Sequence, residues 1–356
     1  MILADKPPDL KFTCVVKDQA YGHGMVEVAR CAVEFGARYL AVATVDEALA
    51  LRQNKLTAPI LVFGERTDEE LQVCAVHNLT CFVNDARAAG RLQRHALDLR
   101  RSLPIHVEVD TGLNRFGVRW TKAFDIIATI AETDGLLLEG VMSHFAMSDE
   151  LDKTFANEQL RRFNEVLGQM AERGIVVALR HMCNSGGFLD LPQAHFDMVR
   201  LGILPLGVYP SQVCRRINGL QPVMSVKSAV AAIQEIEAGD TIGYGMRYRA
   251  TEPRRIAVLP FGYGDGFPRV RNQGAVLIHG KRAPVVGGNA MDAMMVDITD
   301  IPETRVWDDV VVMGKQGNEE IDVHELAKLK GSVSYDILAG WRSRVPRVFL
   351  TKPKAA

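Results

Sequence analysis

The apolar run from Phe12 to Val16 ends in Lys17, and Gly22-His23-Gly24 follows a few residues later. Such a run reads as a buried strand closed by turn chemistry, which puts the amine at a strand's carboxyl end. In proteins that alternate strands with helices, ligands bind at that end. An amine held there loses hydration and gives up its proton more readily, so it is suited to forming an imine with an aldehyde. The same pattern fits a lysine that lays its stem along apolar surface and keeps its charge in water, and residue type alone leaves both open. Two other groups raise the same question. Arg115 follows an apolar strand, where an arginine is most often a surface charge, and Tyr244 lies between glycines in a β-rich stretch, where a tyrosine is most often packing.

The elements that must position these groups are legible in outline. From Phe12 to about Val208, short β-branched runs alternate with amphipathic stretches. Strands are expected near Phe12 to Lys17, Tyr39 to Thr44, Ile60 to Phe63, Cys81 to Val83, Ile105 to Val109, Leu138 to His144, Val176 to His181 and Met198 to Leu201. Eight such units point to an α/β barrel of the TIM type, with its site at the carboxyl ends of the strands. Helical periodicity is clearest over Lys153 to Arg173, where Phe155, Leu160, Phe163, Leu167 and Met170 share one face and predict core packing. Turn-forming residues around Asn218-Gly219-Leu220-Gln221-Pro222 break this rhythm. Strands then dominate: Val226 to Ile236, Thr241 to Ala250, Arg255 to Phe261, Ala275 to Ile278, Met294 to Ile298 and Val306 to Met313, with a short helix near Val323 to Leu329. The expected division is a barrel over 1–219 and a mainly β domain over 220–356.

Bulk properties narrow the class. A chain of 356 residues exceeds one ordinary core. A net charge of -1 offers no field for nucleic acid, and no apolar run approaches the roughly 20 residues of a membrane span. The opening stretch Met1 to Pro8 is too short and broken for a signal peptide, so a cytoplasmic location is expected. Six cysteines without paired spacing suit reduced, mostly buried thiols, and neither they nor the histidines show metal-ligand spacing.

The string Lys17-Asp18-Gln19-Ala20-Tyr21-Gly22-His23-Gly24 resembles the cofactor-lysine segment of the alanine racemases, which depend on pyridoxal 5'-phosphate. Further family-like segments follow in order: Val109-Asp110-Thr111-Gly112-Leu113-Asn114-Arg115-Phe116-Gly117, Ser143-His144-Phe145-Ala146, Asn184-Ser185, Arg200-Leu201-Gly202-Ile203, Ile242-Gly243-Tyr244-Gly245, Gly262-Tyr263-Gly264-Asp265-Gly266, Met291-Asp292 and Ser334-Tyr335. The resemblance implies a barrel of fold type III followed by a β domain, in a homodimer that shares its sites. The activity it implies is an amino-acid racemase interconverting L- and D-alanine, which supplies D-alanine as a peptidoglycan precursor.

It also implies roles. Lys17 carries the cofactor and serves one face of the substrate's α-carbon, while Tyr244 of the partner subunit serves the other, since racemisation needs a proton group on each face. Tyr21, Ser185, Gly202, Ile203 and Tyr335 would hold the phosphate. Arg200 would face the pyridine nitrogen without protonating it, with His144 in the supporting network. Arg115 would reach the cofactor's phenolic oxygen and the substrate carboxylate, Met291 would offer a backbone N-H to that carboxylate, and Tyr263 and Asp292 would gate the entrance. Many relatives brace this arginine with a carbamylated lysine; this chain has Glu108, which is expected to supply the carboxylate itself. Asn289 and Ala290 depart from the commoner residues at the entrance, and relatives carry a longer segment ahead of the lysine. Three other readings stay open: preference for serine or a broader set of amino acids, a barrel decarboxylase on the same cofactor, and a non-catalytic cofactor-binding protein. The decarboxylase lacks support from its Cys-Glu-Ser-Gly segment and triple-glycine loop, neither of which occurs.

Overall fold

The computed structural model describes residues 2 and 5–350, so part of the opening stretch Met1 to Pro8 lies outside the described residues. The chain divides into two compact units, Met1–Gln221 and Pro222–Ala356. No described helix is long and apolar enough to cross a membrane.

In the first unit, β1 (Lys11–Val15), α1 (Lys17–Gly22), α2 (Met25–Glu34), β2 (Tyr39–Val42), α3 (Val45–Gln53), β3 (Ile60–Val62), α4 (Asp68–Val76), β4 (Thr80–Phe82), α5 (Ala86–Asp98) and β5 (Leu103–Asp110) come first. The two-residue β6 (Val118–Arg119), α6 (Trp120–Ala131), β7 (Leu136–Met142), α7 (Thr154–Glu172), β8 (Leu179–His181), α8 (Ser185–Asp190) and β9 (Met198–Leu201) follow. The strand order is β8-β7-β5-β4-β3-β2-β1-β9, every pairing is parallel, and β6 pairs with β5. Backbone bonds from Asp197 N-H to the Arg180 carbonyl (3.1 Å) and from Arg200 N-H to the Cys183 carbonyl (2.9 Å) join β8 to β9 and nearly close the ring.

Alternation places each strand's side chains. Leu40 and Val42 pack outward with the helices while Ala41 faces inward, joined inside by Val15, Leu61, Phe82, Met142, Leu179 and Met198. Helix starts are set chemically: Thr44 with Glu47 and Thr67 with Glu70 form capping boxes, and the Asp85 carboxylate accepts from Arg87 and Ala88 N-H groups. On α7, Leu160, Phe163 and Met170 are buried as the periodicity predicts. The strand expected from Val176 begins only at Leu179, because Val176 is exposed and Gly174 takes a left-handed turn.

The second unit contains β10 (Val226–Ala229), β11 (Ala232–Ile236), β12 (Thr241–Ile242), β13 (Tyr248–Arg249), β14 (Arg254–Leu259), β15 (Ala275–Ile278), β16 (Lys281–Pro284), β17 (Met294–Asp297), β18 (Asp309–Gln316), β19 (Glu319–Ile321), α9 (Val323–Lys330) and α10 (Ser334–Gly340). All its pairings are antiparallel, in the orders β10-β18-β15-β16, β11-β14-β17 and β12-β13, with β19 on β18. Three expected strands are corrected. Val226 to Ile236 is two strands in different sheets, parting at Val230-Ala231. Val306 to Met313 starts at Asp309, because Trp307 adopts φ +73° in an exposed turn. Thr241 to Ala250 is a short hairpin, and Tyr244 sits on its 3-10 tip and not in a strand, because Gly243 and Gly245 take φ of +72° and +74°.

Candidate active site

The carboxyl ends of the barrel strands gather the groups singled out in the first unit. Lys17 and Tyr21 follow β1, Arg115 follows β5, His144 follows β7, Ser185 follows β8, and Gly202 and Ile203 follow β9. The backbone that presents Lys17 is unusual. Asp18, Gln19, Ala20 and Tyr21 all lie near φ +50°, and Gly22 at +78°, so α1 is a turn of left-handed helix. For L-residues that hand costs roughly 1–2 kcal/mol each, so the surroundings must hold it. The holding bonds include Ala20 N-H to the Val16 carbonyl (2.9 Å), Gly24 N-H to the Gln19 carbonyl (2.7 Å) and His23 Nδ1 to the Tyr21 carbonyl (2.9 Å).

Burial, and then the neighbouring Arg115 charge, pull the Lys17 amine below its ordinary range. The Tyr21 phenol lies against Gly202, where any Cβ would collide with its oxygen. Ser185 Oγ accepts from Gly202 N-H (3.2 Å) and Leu204 N-H (3.4 Å), and Asn184 caps α8 through Gly187 N-H (2.9 Å). Backbone donors, a hydroxyl and a phenol thus converge around a residue with no side chain, the donor set that a phosphate monoester needs. The donors here suit the phosphate of an ester such as pyridoxal phosphate.

Arg200 is 2% exposed. Nη1 donates to His181 Nδ1 (2.8 Å), and Nη2 to the Ser143 carbonyl (2.8 Å), His144 Nδ1 (3.0 Å) and the Met182 carbonyl (3.1 Å). Burial lowers it to about 10, still a cation at neutral pH. The bonding continues through residues that sequence reasoning missed. Because a guanidinium only donates, His181 Nδ1 is the acceptor and its Nε2-H donates to His106 Nδ1 (2.8 Å). His106 Nε2-H then meets Glu139 Oε2 (3.2 Å), and Tyr39 donates to Glu139 Oε1 (3.1 Å). Burial pushes His106 down and His181 well down, so both rings are neutral. Burial and then the Arg200 charge do the same to His144. The signal that could have found this relay is in β5, where His106 and Glu108 interrupt Ile105, Val107 and Val109 at a spacing of two and so face the barrel interior.

Glu108 is buried, and its carboxyl is raised by burial while Arg200 and then Arg115 oppose the shift. The direct brace expected between Glu108 and Arg115 does not form: among the described residues Arg115 makes no ion pair and is exposed. Glu108 points inward beneath Gly117, where a Cβ would lie 2.8 Å from its Cγ, so it acts on Arg115 only through space. Gln159 fixes the loop that carries His144, accepting from Ala146 N-H (2.9 Å) and donating to the His144 carbonyl (3.0 Å).

In the second unit Tyr263, Met291 and Asp292 come together, through Tyr263 N-H to the Ala290 carbonyl (3.1 Å) and Gly264 N-H to the Met291 carbonyl (2.7 Å). Asp265 braces that turn, accepting from Gly262 N-H (2.8 Å) and Arg344 Nε (2.8 Å). Tyr335 lies on α10, whose last carbonyl, at Gly340, closes on Gly266. Tyr244 is 80% exposed and Met291 55%.

A nearly closed eight-stranded parallel barrel with a lysine after its first strand, followed by an antiparallel β unit, defines a class of two-unit α/β-barrel proteins whose lysine stands at the barrel mouth. Comparison with known proteins makes this specific. The model for the alanine racemase N-terminal domain matches residues 3–210, and that for the C-terminal domain matches 223–349. The alanine racemase of Methanococcus maripaludis is 40% identical over 346 residues, covering 96% of this chain and 92% of that protein. That of Carboxydothermus hydrogenoformans is 39% identical over 338 residues, covering 94% and 92%. Among solved structures, alanine racemase from Clostridium difficile 630 aligns with a TM-score of 0.91 at 33% identity, covering 97% of this chain and 90% of that one. The enzyme from Streptomyces coelicolor A3(2) aligns at 0.92 with 31% identity, covering 99% and 94%. The chain belongs to the alanine racemase family.

Proposed function

We propose that the chain is a pyridoxal-phosphate-dependent racemase that interconverts L- and D-alanine by two proton-transfer groups, Lys17 and Tyr244 of the partner subunit in a homodimer. One arrangement carries the reading: an amine of lowered proton affinity stands at the barrel mouth that also holds the Ser185, Gly202 and Tyr21 cradle and the buried Arg200. When bound, the cofactor supplies an aldehyde and a ring that spreads negative charge from the α-carbon.

The chain's own groups do the rest. Ser185 Oγ, the N-H groups of Gly202 and Ile203, and the phenols of Tyr21 and Tyr335 take the phosphate. Arg200, locked by four bonds, would stand opposite the ring nitrogen as a permanent donor that keeps its proton, leaving the proton-transfer groups to set the outcome. Lys17 Nζ, unprotonated more readily than an exposed amine, takes the α-proton from one face. Tyr244, exposed on its turn, delivers one to the other face. Arg115 and the Met291 N-H orient the substrate carboxylate, with Tyr263 and Asp292 at the entrance and Tyr335 limiting substrate size. His144, kept neutral, holds Arg200 in place.

The test is incubation with cofactor and L-alanine in deuterium oxide, followed by optical rotation and exchange at the α-carbon. Loss of rotation with exchange is the expected result. Carbon dioxide release would instead mark a decarboxylase, cofactor colour without turnover a binding protein, and faster loss of rotation with L-serine a different preference.

A further inference from the structure

The left-handed turn that carries Lys17 is tied to a neighbouring helix by one side chain. Glu47 Oε1 accepts from Asp18 N-H at 2.6 Å, while Oε2 accepts from Ala43 N-H (2.8 Å) and Thr44 N-H (3.1 Å). Both carboxylate oxygens therefore face donors, one in α1 and two at the start of α3. An N3 glutamate in a capping box needs only the second set. The bond to Asp18 lies outside the helix it caps and reaches the residue beside Lys17, at the first of four positions whose backbone runs against its preferred hand. We propose that Glu47 is a positioning residue for Lys17: its carboxylate clasps the left-handed turn to α3 and keeps a negative charge beside the amine.

The proposal rests on the reading of Lys17 as the working amine, and its electrostatics are countable. The groups that face Lys17 are Arg115 from the segment after β5, Glu47 from α3 and Asp18 from its own turn, and His144 after β7 feels its charge. Arg115 disfavours the ammonium while Glu47 and then Asp18 favour it, so Glu47 offsets part of the burial and Arg115 effects. Removing its charge moves the amine's midpoint to lower pH.

The test uses full-length protein without added cofactor. Trace acetylation across a pH series, read by peptide mass spectrometry, gives the Lys17 midpoint, and amide exchange gives protection at Asp18. Glu47→Gln is the informative variant. An amide can accept on one side only, and the oxygen is better placed on the Ala43 and Thr44 pair, which keeps the helix cap and abandons Asp18. The expected result is Asp18 exchange faster by roughly 10- to 100-fold, from loss of one hydrogen bond to a charged group, and a Lys17 midpoint displaced to lower pH. Thr44→Ala weakens the cap but leaves the carboxylate, so the midpoint should stay where it is in the parent. An unchanged midpoint and unchanged Asp18 protection in Glu47→Gln overturn the proposal, as does an equal displacement in Thr44→Ala. Glu47→Asp, which keeps the charge and shortens the reach, covers failure of the Gln variant to fold: lost Asp18 protection supports the clasp and retained protection overturns it. Borohydride labelling of protein loaded with cofactor tests Lys17 itself, so the reading can fail there while the clasp stands.

Discussion

The two units hold their site residues in opposite ways. In the barrel, Arg200 spends its donors on four fixed acceptors inside a relay that runs to Tyr39 across four other strands, and Gly202 is pressed against Tyr21. In the β unit, Tyr244 and Met291 stand exposed on turns held by backbone bonds and by the side chains of Asp265, Asn272 and Asn289. A group that must hold one ligand in one orientation gains from a frame that cannot relax. A group proposed to serve a partner subunit's site gains from projecting into solvent. The contrast predicts that substitutions in the barrel change binding and stability together, whereas those on the turns change turnover alone.

The largest effect should come from Lys17→Ala, with racemisation down by about a thousandfold or more and no borohydride label at that position. Tyr244→Phe should lower racemisation by about 100- to 1000-fold while the cofactor colour persists. Its unfolding free energy should stay within about 0.5 kcal/mol of the parent, as expected of an exposed side chain. A coupled loss of stability would break the contrast. Gly202→Ala forces a Cβ into the Tyr21 oxygen, with overpacking that costs about 1–3 kcal/mol. Cofactor titration should show the loss as weaker retention, and turnover should recover at high cofactor concentration. Tyr39→Phe, at the far end of the relay, should cost only about 1 kcal/mol in denaturant unfolding.

The histidines sharpen the same contrast through pH. The folded state holds His106, His144 and His181 below their ordinary range, mainly through burial. Their neutral forms are therefore favoured by folding. This stability is complete above an unfolded value of about 6.5 and is lost as pH falls below it, because the unfolded chain then takes up protons that the fold refuses. Nitrogen NMR of the rings should show all three neutral, with the proton on Nε2, from pH 8 to 6.5. A titrating ring in that window would remove the relay as drawn.

The barrel was readable because its strands are short runs of Val, Ile and Leu between helices, a pattern that burial on both faces produces. Parts of the β unit were less so. Lys281–Pro284 and Glu319–Ile321 are charged, and one ends in proline, so neither shows the alternation that marks a strand, yet both pair as hairpin partners. The glycines flanking Tyr244 suggested room for its ring but concealed the break they make in the strand. The residues after β1 were recognisable as a string, whereas their left-handed turn was not, since only the aspartate of Asp-Gln-Ala-Tyr tolerates that hand and a run of four is against it. The Tyr39-Glu139-His106-His181 relay draws one residue from each of four strands, a relation that only the closed ring creates.

That mirror-handed turn has a consequence for anyone recombining barrels. Its bonds run partly within residues 16–24 and partly to Glu47 in the helix after the second strand, so the letters from Lys17 to Gly24 carry only part of what holds it. Grafted onto a scaffold without the second strand and the helix after it, they would lose the Glu47 bond at Asp18 N-H and with it part of what fixes the lysine. The inheritable unit is a quarter of the barrel.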